Sequence, residues 1–258
     1  MKNKLFIMGL LFSKLLTAQD AGEIIRRYES EMNATDQEAT LSMKLISKSG
    51  AVRERALSWS SCTDKNGHEA SYLYFTSPAD IKGSAFLTVE NQSGQDDQWL
   101  YLPVLKRSRR ISSNEKGKSF MGTDFSYEDI GGEEVDDNSY KLLRTEGDGS
   151  DVTYVIEAVY INPQKSKETG YSKRVLYIKK TNNMLIKAKF YGLDGNLKKI
   201  LECSGFEYYS KVKKWRPKTM LMKNMEKGSQ TVLTFLNYKI NEGINPERFT
   251  LRYLESNQ

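Results

Sequence analysis

The sequence predicts a mainly β protein with few helices (α+β), built on one large antiparallel sheet that curls into an incomplete β-barrel closed by short helices. Three observations carry this. Turn signals recur along the chain, at Asp-Lys-Asn-Gly 64–67, Asn-Gln-Ser-Gly 91–94, Gly-Asp-Gly 147–149, Thr-Asn-Asn 181–183, Asp-Gly-Asn 194–196 and Lys-Gly-Ser 227–229, each between two alternating runs. Short connections of this kind join antiparallel neighbours. The 15 Tyr and 10 Phe suit pleated surfaces. Helical periodicity is confined to a few short segments, and an open sheet of ten or eleven strands curls because twisted sheets of that size rarely stay flat.

In order, Asp20 to Met32 places Ile24, Ile25, Tyr28 and Met32 on one helical face, with Asp20 and Glu23 positioned as N-cap and partner. At Thr40–Ser47 the period switches to two: Leu41, Met43 and Leu45 alternate with Thr40, Ser42 and Lys44. Lys-Ser-Gly at 48–50 turns this strand back into Val52–Ser61. Later strands are expected at 151–160, 174–180, 185–191, 197–206, 214–225 and 230–238. Short helices are expected at 123–130 and at Asn245-Pro246, where Asn before Pro suits a cap.

Met1 to Ala18 has Lys2 and Lys4, a mostly apolar run from Leu5 to Leu16 and a small residue at its end, the layout of a cleaved secretory signal. The run is shorter than the roughly 20 apolar residues that a spanning helix needs. The expected organisation is therefore a signal at 1–18 and one domain at 19–258. No Cys follows the cut, so a lipid anchor is not expected. Losing Lys2, Lys4 and Lys14 lowers Lys+Arg from 39 to 36 against 33 Asp+Glu and halves the net charge from +6 to +3. A nucleic-acid role thereby loses its charge argument. Whether Cys62 and Cys203 pair is left open by the sequence.

Catalytic constellations are absent. His68 is the only histidine and sits in a turn, so no triad or Cys–His pair is assembled around it. There is no CxxC, Walker loop, G-x-S-x-G or dinucleotide fingerprint, and the acids Glu133, Glu134, Asp136 and Asp137 read as a solvated loop. No catalytic residue, metal or cofactor is expected.

The most informative stretch runs from Tyr72 to Ile130. It contains Asp97-Gln-Trp-Leu-Tyr-Leu-Pro103, a basic run of Lys106, Arg107, Arg109 and Arg110, and the loop Phe120-Met-Gly-Thr-Asp-Phe-Ser-Tyr-Glu-Asp129. The chain resembles the bacterial LolA-like, outer-membrane lipoprotein-sorting family, in the branch marked by a D-x-W-L-Y-L-P strand and an F-M-G-x-D-F-S-Y-E-D loop. The resemblance implies a half-barrel with a hydrophobic cavity and helices as a lid. It also implies a periplasmic, non-enzymatic carrier of lipid or lipoprotein acyl chains toward the outer membrane, and partnership with an inner-membrane transporter of the RND class. The N-terminal motif of the best-known lipoprotein carriers is missing, which leaves the cargo open between lipoprotein and lipid in general. A different reading is a sensing or scaffolding module that binds a protein partner, since some envelope-stress regulators are similar in fold.

Within that frame, strand parity nominates Leu73, Phe75, Leu87, Val89, Leu100 and Leu102 as cavity-lining, with Tyr72, Tyr74, Phe86, Trp99 and Tyr101 on the opposite face. Phe120, Met121 and Phe125 lie between Gly117 and Gly131, as a movable lid or as a static plug. Lys106, Arg107, Arg109 and Arg110 are either a docking surface for an anionic headgroup or acidic partner, or charges that protect an edge strand. The signal reading predicts that the protein isolated from envelope fractions has an intact mass starting at Gln19; a mass that includes 1–18 overturns it.

Overall fold

The computed structural model describes residues 20–91, 96–132, 134–149 and 151–256; the expected signal at 1–18 lies outside them. Helix α1 (Ala21–Met32) starts where the Asp20 carboxylate accepts the Gly22 amide at 2.9 Å and buries Ile24 and Ile25. The first half of the sheet follows: β1 (Asp36–Ile46), β2 (Val52–Thr63), β3 (Glu69–Ser77), β4 (Ala85–Val89), β5 (Asp97–Leu102) and β6 (Arg107–Arg110). A crossing segment then carries the short helix α2 (Tyr127–Gly131) to β7 (Asn138–Glu146) and β8 (Thr153–Tyr160). After α3 (Pro163–Thr169) come β9 (Tyr171–Lys179), β10 (Leu185–Gly192), β11 (Leu197–Ser204), the small ribbon β12 (Glu207–Tyr209) and β13 (Lys214–Arg216), β14 (Thr219–Asn224) and β15 (Gln230–Ile240). The C-terminal helix is α4 (Leu251–Ser256).

Thirteen strands form one antiparallel sheet in the order β6-β5-β4-β3-β2-β1-β15-β14-β11-β10-β9-β8-β7. The two edges, β6 and β7, do not pair, so the barrel stays open as expected. The extra strands beyond the expected count are short or polar: β6 is the basic run itself, and β7 alternates too weakly to stand out. Two helices also escaped the sequence reading. Asn162 caps α3 by accepting the Gln164 amide, with Pro163 at its first position.

Cross-strand partners share a face of a sheet, so the register reads out the concave side directly. One row runs Leu176, Ala188, Leu201, Met222 and Thr231 to Leu45. Another runs Ala39, Trp59, Leu73, Phe86 and Leu100. On the convex side Tyr72, Leu87 and Trp99 form a matching row, buried beneath Phe249 and Leu254 of the C-terminal segment. Cys62 and Cys203 are both free thiols, and burial pushes Cys203 up to about 12.

The segment between β6 and β7 joins the two edges of the open sheet, and its Phe120, Phe125 and Tyr127 pack on the concave side. Phe120 is fully buried, stacked on Phe75 at 6.1 Å and tilted on Phe86 at 5.1 Å, with Tyr127 edge-on at 5.5 Å. Gly117 donates its amide to the Glu168 carbonyl, and a Cβ there would lie 2.6 Å from the Thr169 carbonyl oxygen, a close approach that only glycine permits. Replacing Phe120 by Ala removes the ring at the centre of this cluster. We expect Phe120→Ala to cost about 3 to 5 kcal/mol in denaturant unfolding; a change under about 1 kcal/mol shows that the segment is not integral to the core.

Candidate functional site

The crossing segment fills one half of the concave side and leaves the other half hollow. The cavity that remains, about 480 Å³, lies between α1, α2 and the strands on both sides of β1. Its volume falls within the range of small-molecule sites. Its apolar lining comes from Ile25 of α1, Trp59 of β2, Leu176, Leu185, Ala188, Phe190 and Leu201 of β9 to β11, Met220 and Met222 of β14, and Phe125 of the crossing segment. These two flexible thioethers, with that of Met32 of α1, adapt to an irregular occupant.

The motif that carried the resemblance is the anchor of this architecture. Ser126 and Asp129 form the capping box of α2: Asp129 accepts the Ser126 amide at 2.7 Å, and the Ser126 hydroxyl accepts the Asp129 amide at 3.1 Å. The same Asp129 carboxylate accepts from the Tyr171 hydroxyl of β9 at 3.1 Å and from Lys199 of β11 at 2.9 Å. Asp124 accepts from Thr231 of β15 at 2.8 Å and from Ser229 at 2.6 Å. Two buried carboxylates thus tie the crossing segment to the far half of the sheet, each with its hydrogen bonds satisfied.

Of the residues nominated from sequence, Phe125 is among those that line the cavity. Leu73, Phe75, Leu100, Leu102, Phe120 and Met121 do face the concave side, but they pack together as core beneath the crossing segment. Leu87 and Val89 are corrected outright. The β3–β4 register pairs Leu73 with Phe86 and Tyr72 with Leu87, so Phe86 faces inward, and Leu87 and Val89 face the C-terminal helix. Parity within each strand was sound, but which parity faces inward is set by strand pairing, and both parities of β4 are apolar. The cavity walls on β9 to β14 were missed; their signal was the alternation of Ala188 and Phe190 with Lys187 and Lys189 on β10 and of Leu201 and Cys203 around Glu202 on β11, in which the charged residues mask a short apolar face.

The basic run divides. Arg109 pairs with Glu115 at 3.1 Å and Arg110 with Asp97, while Lys106 and Arg107 form no ion pair with a described carboxylate. Lys106 follows Val104 and Leu105 on an exposed turn at the sheet edge, with Val104 86% exposed. His68 stays in its turn beside Asp64 at 3.4 Å and does not line the cavity. Among the described residues, no group of three or more His, Cys, Asp or Glu is placed to hold a metal ion.

The cavity mouth is acidic. Loss of water, followed by the charges of Glu90, Asp96, Asp137 and Glu29, pushes the Glu134 carboxyl up to about 7. Burial raises Glu128, Asp96 and Glu29 as well. These carboxyls keep protons in the folded protein at pH values where the unfolded chain has lost them. Stability therefore falls as pH rises from about 4.5 toward 7. The acids shifted the other way, among them Glu38 by Lys239, Glu115 by the Ser112 amide, Asp64 by the His68 amide and Asp194 by the Asn196 side chain, act only at lower pH. We expect the melting temperature to decline between pH 5 and pH 8, and Glu134→Gln to flatten that decline; a melting temperature that rises over the interval contradicts this picture of the mouth.

Relatives share this architecture. A family model described as "uncharacterized protein" matches residues 67–256. A crystal structure of an outer membrane lipoprotein-sorting protein domain from Vibrio parahaemolyticus superposes with a TM-score of 0.84 at 30% identity, covering 91% of this chain and 98% of that one. A DUF1329 family protein from Desulfovibrio piger gives 0.83 at 28% identity, over 91% and 97% of the two chains. A LolA superfamily protein from Nitrosomonas europaea gives 0.72 at 21% identity, over 92% and 100%, and shares the fold. No curated protein matches the chain. With 30% identity over 98% of the first of these relatives, and with a LolA-like fold anchored by its F-M-G-x-D-F-S-Y-E-D segment, the chain belongs to the outer-membrane lipoprotein-sorting protein family.

Proposed function

We propose that the protein is a periplasmic carrier that buries acyl chains of lipid or lipoprotein in the concave cavity and moves them toward the outer membrane. One observation supports this above the others: a hollow of about 480 Å³ bounded by aliphatic, thioether and aromatic side chains persists beside a well-packed core. Interiors normally close-pack, so a half-open hollow of this size with an apolar wall, set beside a packed core, supports a role in holding an occupant. Acyl chains need no aligned polar partner, and each methylene withdrawn from water contributes about 0.8 kcal/mol. The work is binding and release, without covalent chemistry. Loading and unloading require a partner at a membrane, and an inner-membrane transporter of the RND class fits the family branch. Its docking surface is the exposed turn of Val104 and Leu105 with Lys106 and Arg107, which have no described ion pair to break on binding.

The reading is tested by filling the hollow. Ala188 is buried in the middle of the inner row, so Ala188→Phe places a ring inside the cavity. We expect lipid that copurifies with the natural protein to be lost, and binding of a fluorescent fatty-acyl probe to fall at least tenfold, with the melting temperature held. Met220→Trp, from β14 on the far side of β11, is the second variant should the first misfold. Undiminished probe binding in a folded variant removes the cavity from the function.

A further inference from the structure

The inward-facing residues of β3, β4 and β5 change character in the same direction along each strand. On β3 they run Phe75, Leu73, Ser71, Glu69; on β4, extended by one residue, Phe86, Thr88, Glu90; and on β5, extended by one, Leu100, Gln98, Asp96. The register aligns these series. Leu73, Phe86 and Leu100 stand side by side, and Ser71, Thr88 and Gln98 form the next row. Glu69, Glu90 and Asp96 line the end of the cavity, joined by Glu29 of α1 and Glu134 beyond α2. The concave wall thus passes from apolar through hydroxyl and amide to carboxylate.

None of these five acids forms an ion pair with a described Lys or Arg, although surface carboxylates elsewhere on the protein repeatedly do. The remaining acids of the lining are engaged: Glu128 lies 3.9 Å from Lys116, and Asp129 is held by Lys199. Arg174 is the single cation among the described lining residues, and it is turned to Asn138 and to the ring of Tyr160. A second feature points to a missing polar group. Thr88 is 4% exposed, faces the cavity, and its hydroxyl has no hydrogen-bond partner. A buried hydroxyl without a partner costs stability and marks a place for one.

Resting on the carrier reading, we infer that the cargo is an amphiphile whose polar end carries an amine and no net negative charge. Its chain lies in the hollow against Leu176, Ala188, Leu201 and Met222, its linking polar atoms meet Thr88, and its ammonium group meets the carboxylates of Glu69, Glu90, Asp96 and Glu134. An ammonium inserted among these like charges relieves their mutual repulsion, whereas a carboxylate or phosphate adds to it. A bare metal ion is a poor substitute, because the acids are spread around a mouth and not gathered into a ligand set.

The test compares three fluorescent amphiphiles of the same chain length, an alkyl amine, an alkyl alcohol and an alkyl carboxylate, below their micelle thresholds at pH 7.5 and low salt. The natural protein is expected to bind the amine at least tenfold more tightly than the carboxylate, with the alcohol between them. In the triple variant Glu90→Gln, Asp96→Asn, Glu134→Gln that preference is expected to shrink to under threefold while alcohol binding is retained. Removing mutually repelling acids favours folding, so the variant stays testable. Equal binding of all three probes, or preference for the carboxylate, overturns the inference and leaves the carrier reading in place. Binding of none of them overturns both.

Discussion

The carboxylate of Asp129 is the constraint on which the concave side depends. It closes the cap of α2, accepts from Tyr171 on β9 and pairs with Lys199 on β11. An open sheet of thirteen strands presents one long apolar face, and only packing against other chain can keep that face from water. The segment that joins the two sheet edges supplies part of this cover. Its own aromatic ring, Phe120, reaches the first half of the sheet, while Asp124 and Asp129 reach the second. A buried carboxylate with several partners is costly to disturb, since removing them leaves its charge unsatisfied. The position of the crossing segment is therefore specified from both sides.

Half filling is the consequence. Phe75, Phe86, Phe120 and Tyr127 close-pack under one side of the crossing segment, and α1 covers β8 to β10 with Ile24 and Ile25. Between these two packed regions the sheet remains wider than its cover, and the cavity is the difference. The helix and the crossing segment meet its mouth from opposite sides. Both bring acids, Glu29 from one and Glu128 and Glu134 from the other, so the potential at the mouth belongs to neither element alone.

The convex side is organised by a different necessity. Tyr72, Leu87 and Trp99 would leave a second apolar face in water, and Phe249 and Leu254 cover it. This is why both parities of β4 are apolar, and why Leu87 and Val89 were assigned inward from sequence. The sheet is buried on both faces here, as a central strand reads when alternation gives way to a continuous apolar run.

Local chemistry decided much from sequence alone. The turns, the alternating strands and the capped first helix all follow from neighbouring residues, whose preferences act over a few positions. The loop from Phe120 to Asp129 could be marked as special by its residues, but not given a role. What only the tertiary structure decided is which parity faces inward, which of the basic residues are paired, and where space is left over. Those outcomes depend on partners far apart in sequence, such as Asp129 with Lys199 or Leu73 with Phe86, and on the mismatch between a curled sheet and the segments that cover it. A void has no residues of its own, and so no pattern along the chain records it.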